Sequence, residues 1–172
     1  MNLRPAARVL AELRRRHETV ATAESLTGGM LGTLLTAVPG ASASYVSGVI
    51  SYATRLKQTL VGVDAKILAT PGPVASATAA AMATGVADRC QADWGVATTG
   101  VAGPDPQDGH PVGEVYVGAA HPASGRVEVR ALQLTGDRSA IREAAAAQAL
   151  DLLATCLGLD TQDWEGRLAE QA

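Results

Sequence analysis

The stretch from residue 18 to residue 38 restricts the fold of this chain more than any other part of its sequence. Residues 18–22 form a short β-like run that contains β-branched side chains, and residues 30–38 form an apolar run with helical character. Between them lies the turn Ala23-Glu24-Ser25-Leu26-Thr27-Gly28-Gly29. The sequence therefore predicts a strand that passes into a helix through a short turn containing a serine.

This turn combines a hydroxyl with a backbone that a ligand can approach. A serine between a strand and a helix is held with its hydroxyl exposed, and Gly28 and Gly29 lack the Cβ that would obstruct nearby N–H groups. The first turn of the following helix has unpaired N–H donors, which suit an oxyanion or a phosphate. Ser25 is thus a candidate nucleophile beside an anion site. The alternative is that Ser25 or Thr27 only caps the helix, because the segment matches neither a P-loop nor a G-x-S-x-G elbow.

Helical and strand patterns alternate along the rest of the chain. Helices are predicted over residues 3–18, 27–38, 54–61, 74–92 and 137–157, with a further helical turn from Asp64. Strands are predicted over residues 18–22, 45–52, 94–98, 113–120 and 126–134. This order predicts an α/β fold, a three-layer α/β/α sandwich with a mixed, mostly parallel sheet of about five strands. We expect one domain over residues 1–158 and a polar, mobile tail over residues 159–172.

Composition and charge argue against several classes of protein. With 172 residues, 47% of them hydrophobic and 18% charged, the chain resembles one globular domain. Its apolar runs end before the roughly 20 residues of a membrane span, and no apolar block follows the arginine-rich N-terminus, so we expect neither a membrane segment nor a secretory signal. A net charge of −3 does not favour a nucleic-acid partner. Cys90 and Cys156 lie far apart, which indicates buried free thiols in a cytoplasmic protein.

Two further segments carry polar side chains past the ends of predicted strands. Tyr52 ends one strand, Lys57 lies on the first turn of the next helix, and Thr99-Gly100-Val101-Ala102-Gly103-Pro104 follows a short buried strand. Ligands of open α/β sheets bind at the carboxyl ends of strands, so all three segments are expected to border one cleft. The chain has two lysines against twelve arginines, and only lysine readily loses its proton near neutral pH. The alternatives are a solvated Lys57, a Tyr52 that packs on its strand and a Thr99 that only caps a turn.

These segments together resemble the C-terminal domain of the CinA family of competence/damage-inducible proteins, which includes stand-alone nicotinamide mononucleotide amidohydrolases. The resemblance extends over roughly residues 5–157. Its matching pieces are T-A-E-S-L-T-G-G (22–29), V-P-G-A-S (38–42), G-V-I-S-Y-A-T-R-L-K (48–57), L-V-G-V (60–63), G-P-V-A-S (72–76), T-G-V-A-G-P (99–104), P-V-G-E-V-Y-V (111–117) and G-D-R-S-A-I-R (136–142). The chain departs from the family at Leu26, where cysteine is common, and in the less glycine-rich loop 105–108.

The resemblance implies a hydrolase that removes ammonia from nicotinamide mononucleotide and leaves nicotinic acid mononucleotide, with no cofactor and no metal ion. Ser25 matches the family's nucleophile and Lys57 its general base, while Tyr52 and Thr99 match polar residues that support the pair. Lysine acts as a base only when its pKa is well below about 10.4, and partial burial is the expected cause of such a shift. We therefore expect Glu24 to point its carboxylate away from Lys57.

A second set of residues is expected to contact the substrate: Leu26, Thr27, Gly28, Gly29, Gly100, Gly103, Arg138 and Arg142. The N–H groups of residues 26–29 are the expected oxyanion hole. Arg138 or Arg142, at the start of the last helix, is expected to bind the phosphate, although each could simply be solvated. The expected partner is a small-molecule nucleotide. The family and the amphipathic first helix also suggest a homodimer.

Two other functions stay open at this point. The domain could bind a nucleotide or a partner protein in competence or DNA-damage responses without turnover, or it could hydrolyse a different amide. A Ser-His-Asp triad is not favoured, because His110 is the only histidine beside a segment of interest. A metal hydrolase is not favoured either, because no His, Cys and Asp cluster has metal-ligand spacing.

Overall fold

A computed structural model describes residues 2–161 of the protein. The helices in this range are α1 (Arg4–Arg16), α2 (Met30–Thr36), α3 (Thr54–Val61), α4 (Ala65–Ala69), α5 (Ser76–Cys90) and α6 (Arg138–Cys156). The strands are β1 (Val20–Glu24), β2 (Tyr45–Ile50), β3 (Trp94–Gly100), β4 (Glu114–His121) and β5 (Arg126–Gln133). The predicted order of elements is confirmed, and the helical turn predicted after Asp64 is the short helix α4.

The five strands form one sheet in the order β2-β1-β3-β4-β5. β1 pairs in parallel with β2 on one side and with β3 on the other, whereas β4 runs antiparallel to both β3 and β5. Four strands thus point in one direction, and the predicted mixed, mostly parallel sheet is confirmed. Every residue of β1 is buried because helices cover both faces of the sheet around this central strand.

Helices form a layer on each face of the sheet. One hydrophobic cluster joins α1, α2 and α6 to the first face, with Leu10 and Leu153 among its fully buried members. A second cluster joins α5 and the end of α3 to the opposite face, through Met82 and Val61. The predicted three-layer α/β/α sandwich is therefore confirmed. No helix within residues 2–161 is both long enough and apolar enough to cross a bilayer.

The apolar face of α1 is used inside the chain. Ala6, Val9, Leu10 and Leu13 are fully buried, and the helix packs against α6 and α2. The amphipathic pattern of α1 is thus explained by this chain's own core and gives no reason to expect a dimer. The family resemblance is the remaining reason, so the homodimer stays a prediction.

The turn between β1 and α2 is longer than the sequence pattern predicts. α2 begins at Met30 and not at Thr27, and it has only seven residues. Gly28 and Gly29 have φ values of +59° and +98°, which lie in the left-handed region and cannot continue a right-handed helix. The residues after Ser25 therefore form a separate turn that precedes the helix.

The chain segments at the ends of α5 and α6 bear on the predicted tail and on the two cysteines. Leu159, the first residue of the predicted tail, packs against the core, and its N–H donates to the carbonyl oxygen of Ala154 over 2.9 Å. The rest of the predicted tail, from residue 162 onward, lies outside the described residues. Both cysteines are free, but only Cys156 is buried, because Cys90 lies at the partly exposed end of α5.

Two glycines allow backbone to approach backbone around α5 and so set the position of α3. A Cβ at Gly85 of α5 would lie 1.7 Å from the carbonyl oxygen of Val61, the last residue of α3. A Cβ at Gly95 of β3 would lie 1.9 Å from the carbonyl oxygen of Ala83. Since α3 carries Lys57, these close approaches decide where that lysine lies relative to the sheet.

Candidate active site

A cleft lies at the edge of the sheet where β1, β2 and β3 end. These three parallel strands finish at the same edge, so the chain segments that follow them meet there, as predicted. Eight of the predicted site residues line the cleft: Ser25, Leu26, Tyr52, Lys57, Thr99, Gly100, Gly103 and Arg138. Thr27, Gly28, Gly29 and Arg142 are not part of this lining.

Ser25 and Lys57 are in direct contact. Lys57 Nζ donates a hydrogen bond to Ser25 Oγ over 2.9 Å and another to the carbonyl oxygen of Ser51 over 3.2 Å. Ser51 in turn donates its N–H to the carbonyl oxygen of Glu24 over 2.9 Å, which connects the ends of β1 and β2. Solvent hardly reaches the pair, since Ser25 is 7% exposed and Lys57 2%. The base candidate is thus held from two sides.

Burial lowers the pKa of Lys57 to about 8 from its usual 10.5. The cause is desolvation, because removing water destabilises the charged ammonium more than the neutral amine. Glu24 does not oppose the shift, since its carboxylate points to the first turn of α2, as expected. Lys57 therefore has a substantial neutral fraction in the mildly basic range and can accept a proton from the hydroxyl beside it.

The carboxylate of Glu24 occupies the anion site that the sequence pattern assigns to a ligand. It accepts hydrogen bonds from the N–H groups of Gly29 and Gly32, each over 2.8 Å. The N–H of Gly28 is also engaged, by the carbonyl oxygen of Ser25 over 3.1 Å. The prediction that Gly28 and Gly29 hold an oxyanion is therefore wrong, because the protein's own acceptors already use these donors.

Thr27 and Leu26, the other two residues of the turn that are predicted to contact the substrate, differ in their access to the cleft. Thr27 is fully buried, and its hydroxyl donates to Glu24 Oε2 over 2.7 Å, so the prediction that Thr27 contacts the substrate is wrong as well. Leu26 borders the cleft, and within residues 2–161 its N–H has no hydrogen-bond acceptor. The N–H of Thr27 has no acceptor in this range either, but Thr27 is fully buried outside the cleft lining, so the N–H of Leu26 is the unpaired donor that lies at the cleft beside Ser25.

Arg138 reaches across the mouth of the cleft. Its guanidinium donates to the carbonyl oxygen of Gly103 and, over 3.1 Å, to Oη of Tyr52. These contacts join the first turn of α6 to the segments that follow β2 and β3. An arginine in this position presents a cation to any anionic group that enters the cleft.

Arg142, one helical turn further along α6, lies behind the turn that carries Ser25. Its Nε donates to the carbonyl oxygen of Leu26 over 2.9 Å, and its Nη2 donates to that of Thr27 over 3.0 Å. The prediction that Arg142 could bind phosphate is wrong for this reason, because its guanidinium is engaged by the backbone outside the cleft. Arg142 instead holds the main chain next to Ser25.

Tyr52 and Thr99 border the cleft without a hydrogen bond to Ser25 or Lys57. Thr99 Oγ1 donates to the carbonyl oxygen of Pro73 over 2.6 Å, and Tyr52 is 58% exposed. Direct orientation of the pair by these two hydroxyls is therefore not observed. Both residues are in position to contact a ligand in the cleft.

The chain matches the family model of the CinA C-terminal domain over residues 3–157. It belongs to the CinA family. The CinA-like protein of Frankia casuarinae is 52% identical over 145 residues, which cover 84% of this chain and 33% of that protein. The CinA-like protein of Synechocystis sp. is 50% identical over 152 residues, which cover 86% of this chain and 36% of that protein. This CinA domain thus spans about a third of the length of these curated relatives.

Solved structures of the CinA superfamily share the fold. One from Klebsiella pneumoniae superposes with a TM-score of 0.86 at 32% identity and covers 92% of this chain and 99% of its own. A competence/damage-inducible protein from Agrobacterium tumefaciens superposes with a TM-score of 0.85 at 33% identity and covers 91% of this chain and 94% of its own. The family predicted from the motifs is confirmed by both comparisons.

The cleft of this CinA domain is also bordered by residues that were not predicted as site residues from the sequence. They are Thr54, Pro73, Val74, Val101, Ala102, Asp105 and Gln107. Pro73 and Val74 arrive from the connection before α5, and their place in the family-matching segment G-P-V-A-S (72–76) is the signal that could have pointed to them. Gln107 belongs to a small hairpin in which its backbone groups pair with those of His110, and Asp105 lies just before this hairpin. The Asp108-Gly109 pair at its tip is a strong hairpin signal that could have revealed this ordered loop.

The one histidine close to a motif is engaged outside the cleft lining. His110 Nδ1 lies 3.1 Å from Glu114 Oε1, and the same carboxylate oxygen accepts from the hydroxyl of Tyr116 over 2.8 Å. Within the described part of the chain, no group of three or more His, Cys, Asp or Glu side chains could hold a metal ion. Ser25 and Lys57 remain the candidate nucleophile and the candidate base, and they are in direct contact at the cleft.

Proposed function

We propose that this CinA domain hydrolyses the carboxamide of nicotinamide mononucleotide to nicotinic acid mononucleotide and ammonia, a reaction of pyridine nucleotide recycling. The 2.9 Å contact between Ser25 Oγ and Lys57 Nζ carries the proposal, because it joins a hydroxyl to an amine of lowered pKa at the cleft. Amide hydrolysis needs just such a nucleophile and proton acceptor. The family resemblance suggests the substrate.

The first half of the reaction transfers the acyl group to the protein. Neutral Lys57 Nζ takes the proton from Ser25 Oγ while Oγ bonds to the carboxamide carbon. The carbonyl oxygen gains negative charge, which the N–H of Leu26 stabilises. When the C–N bond breaks, the Lys57 ammonium passes its proton to the departing nitrogen, which leaves as ammonia. Ser25 then carries the nicotinoyl group as an ester.

The second half restores the protein. A water molecule attacks the ester carbon while Lys57 accepts one of its protons. The bond to Ser25 Oγ breaks, and Lys57 returns the proton to that oxygen. Nicotinic acid mononucleotide leaves, and Lys57 is again a neutral amine. One residue serves as base and then as acid in each half, which requires a pKa near the working pH.

The phosphate of the substrate is bound by Arg138. Its guanidinium borders the cleft and is held there by Gly103 and Tyr52, and a planar guanidinium can donate parallel hydrogen bonds to two phosphate oxygens. A substrate without phosphate loses this interaction. Tyr52 and Thr99 then contribute to substrate contact and support the catalytic pair indirectly.

Incubation of the purified protein with nicotinamide mononucleotide tests the proposal. Ammonia is measured by an enzyme-coupled assay, and nicotinic acid mononucleotide is measured by chromatography in equal amount. Ser25→Ala and Lys57→Ala should abolish both products, whereas Ser42→Ala and Lys66→Ala, matched changes at exposed positions, should not. Nicotinamide riboside and unrelated amides form the comparison panel.

Two results would contradict the proposal and identify an alternative. Binding of the nucleotide by calorimetry without ammonia release would favour the non-catalytic nucleotide- or partner-binding domain of the competence or DNA-damage response. Faster release from an amide without a phosphate would favour an amidohydrolase for a different substrate, because Arg138 then has no anionic partner.

A further inference from the structure

Glu24 is a buried carboxylate that the proposed chemistry does not use. It is 2% exposed and accepts four hydrogen bonds. Oε2 accepts from the Thr27 hydroxyl over 2.7 Å, from the Gly29 N–H over 2.8 Å and from the Leu31 N–H over 3.1 Å. Oε1 accepts from the Gly32 N–H over 2.8 Å. All four partners are donors, which suits a carboxylate, since its oxygens only accept.

Together with the backbone of residues 24–32, these hydrogen bonds close a loop that contains Ser25. Glu24 immediately precedes Ser25, and its side chain reaches forward to residues 27–32, so the backbone of Ser25 lies inside the loop that the carboxylate closes. Within that loop, the Gly28 N–H also donates to the carbonyl oxygen of Ser25 over 3.1 Å. The turn cannot rotate about Ser25 without breaking charge-assisted hydrogen bonds, which are the stronger kind.

The main chain of the same residue is linked to the base. The Ser51 N–H donates to the carbonyl oxygen of Glu24 over 2.9 Å, and the carbonyl oxygen of Ser51 accepts from Lys57 Nζ over 3.2 Å. Glu24 is therefore connected to Ser25 through the turn and to Lys57 through Ser51. The carboxylate itself has no hydrogen bond to either Ser25 Oγ or Lys57 Nζ within the described residues.

Gly32, which donates to the Glu24 carboxylate, also lies close to Tyr45. A Cβ at Gly32 would lie 3.5 Å from Glu24 Oε1 and 2.9 Å from Oη of Tyr45. Tyr45 is in turn hydrogen-bonded to Oγ1 of Thr22 over 2.9 Å. A Cβ at position 32 would thus crowd the hydroxyl of Tyr45, whereas its distance to Glu24 Oε1 is that of an ordinary contact.

We infer that Glu24 is the positioning residue that sets Ser25 Oγ against Lys57 Nζ, by filling with its own carboxylate the anion site at the start of α2. This inference rests on the proposed Ser25–Lys57 chemistry. Glu24 acts through the backbone of Ser25 and does not touch the substrate or the reacting atoms. Its charge serves the turn, so the start of α2 is closed to a substrate anion.

Glu24→Gln tests this inference, because glutamine has nearly the same shape but its NH₂ group cannot accept a hydrogen bond. At least one donor of the α2 turn then loses its acceptor and faces another donor. We expect kcat for nicotinamide mononucleotide to fall about 10-fold to 100-fold, as for a small displacement of a reacting group, with KM and the position of the basic limb of the pH profile unchanged. A variant that is merely less folded would lose activity in proportion to its unfolded fraction, which circular dichroism measures.

Asp93→Asn is the matched control at the opposite end of β1. Asp93 Oδ2 accepts from the N–H and the hydroxyl of Thr19 over 2.7 Å and 2.8 Å, so the same change of carboxylate to amide removes the negative charge that strengthens two hydrogen bonds far from the cleft. We expect Asp93→Asn to lower the melting temperature and leave kcat unchanged. Equal kcat in Glu24→Gln and Asp93→Asn would overturn the inference.

A second readout separates this inference from the proposed substrate. An alkyl fluorophosphonate bonds to an activated serine oxygen and expels fluoride, without any nucleotide, and mass spectrometry locates the adduct on Ser25. We expect Glu24→Gln to react at least about 10-fold more slowly than the unaltered protein and Asp93→Asn to react at the same rate. If the unaltered protein releases no ammonia but this order of labelling holds, the proposed substrate is wrong and the positioning role stands. Equal labelling rates in all three proteins would overturn the positioning role.

Thr27→Val keeps the test decisive if Glu24→Gln does not fold. Valine preserves the volume of threonine and removes one of the four hydrogen bonds to the carboxylate. Slower labelling of Ser25 in Thr27→Val supports the inference, and labelling at the unaltered rate overturns it.

Discussion

Lys57 Nζ lies 2.9 Å from Ser25 Oγ, although the two residues are 32 positions apart in the chain. Ser25 follows β1 and Lys57 lies on the helix that follows β2, and these neighbouring strands run in parallel. The two side chains therefore meet because the strands end side by side. Each is of use to amide hydrolysis only in the presence of the other, since the hydroxyl needs a base and the amine needs a proton donor.

Ser25→Ala and Lys57→Ala should each lower kcat about 10⁴-fold or more, and the double variant should be no worse than either single variant. Residues that act as one unit lose their whole contribution when either is removed. Steady-state kinetics on nicotinamide mononucleotide measure this. Multiplicative losses in the double variant would show that the two residues act separately.

The rate should rise with pH and level off above about 8, where Lys57 becomes neutral. A base works in its deprotonated form, so kcat/KM should fall about tenfold for each pH unit below that value. A pH–rate profile from pH 5 to pH 10 in the presence of a chelator measures this dependence, and the chelator should have no effect. Lys57 is not the base if the profile stays flat down to pH 5 while chemistry is rate-limiting.

Lys57→Met should stabilise the protein near pH 7 while it abolishes activity. The pKa of Lys57 is about 8 in the folded protein and 10.5 without burial, so below pH 8 the fold must hold a buried charge at a cost of about 3 kcal/mol. As the pH rises from 8 to 10.5, the folded protein releases the proton while the unfolded chain retains it, so the unaltered protein gains stability in this window. Urea unfolding measures the free energy of unfolding of each variant relative to the unaltered protein. The excess in Lys57→Met should be smaller at pH 10 than at pH 7, whereas Lys66→Met, at an exposed position, should show no such change. An advantage that does not depend on pH would contradict this explanation.

Arg138→Ala and Arg142→Ala should affect different quantities. Arg138 borders the cleft, so its loss should raise KM for nicotinamide mononucleotide about 10-fold to 100-fold and leave nicotinamide riboside unaffected. Arg142 holds two carbonyl oxygens of the Ser25 turn, so its loss should lower the free energy of unfolding by about 1–3 kcal/mol. Kinetics on both substrates and urea unfolding of both variants make the comparison. Equal KM changes for the two substrates in Arg138→Ala would refute the proposal that Arg138 binds the phosphate.

Gly85→Ala should damage catalysis from outside the cleft. Its Cβ would lie 1.7 Å from the carbonyl oxygen of Val61, so α3 must move away and carry Lys57 with it. We expect the free energy of unfolding to fall by about 1–3 kcal/mol and kcat to fall in the molecules that stay folded. Thr84→Ala, at the neighbouring position in α5, is the control and should retain kcat. Unaltered kcat in fully folded Gly85→Ala would show that α3 does not depend on this contact.

Much of the candidate site could be predicted because its signals are local. Ser25 stands in a strand–turn–glycine pattern that follows β1, and Lys57 lies on the helix that follows the next strand, β2. Topology alone therefore brings both residues to one edge of the sheet. The sequence could not show in this way which backbone N–H groups stay available to bind an anion. A carboxylate one residue before the turn is equally compatible with an open anion site and with one that Glu24 fills itself, and the direction of its side chain decides between them.

The two arginines show the same limit. Arg138 and Arg142 are one helical turn apart on α6 and share a face, so their sequence positions cannot distinguish a cleft residue from a structural one. The depth at which α6 packs against the Ser25 turn makes that distinction. It leaves Arg138 at the cleft and brings Arg142 against the carbonyl oxygens of Leu26 and Thr27.

Periodicity and motif order were enough to predict the family, the α/β sandwich and the order of its elements, and the family resemblance named Ser25 and Lys57 as the candidate pair. These properties depend on spacing along the chain, which a sequence displays directly. Packing between elements determined the burial that lowers the pKa of Lys57, the partner of each backbone donor and the separate roles of Arg138 and Arg142. Those properties depend on which groups lose water and which atoms come within about 3 Å of each other, and both are set by how distant parts of the chain pack together.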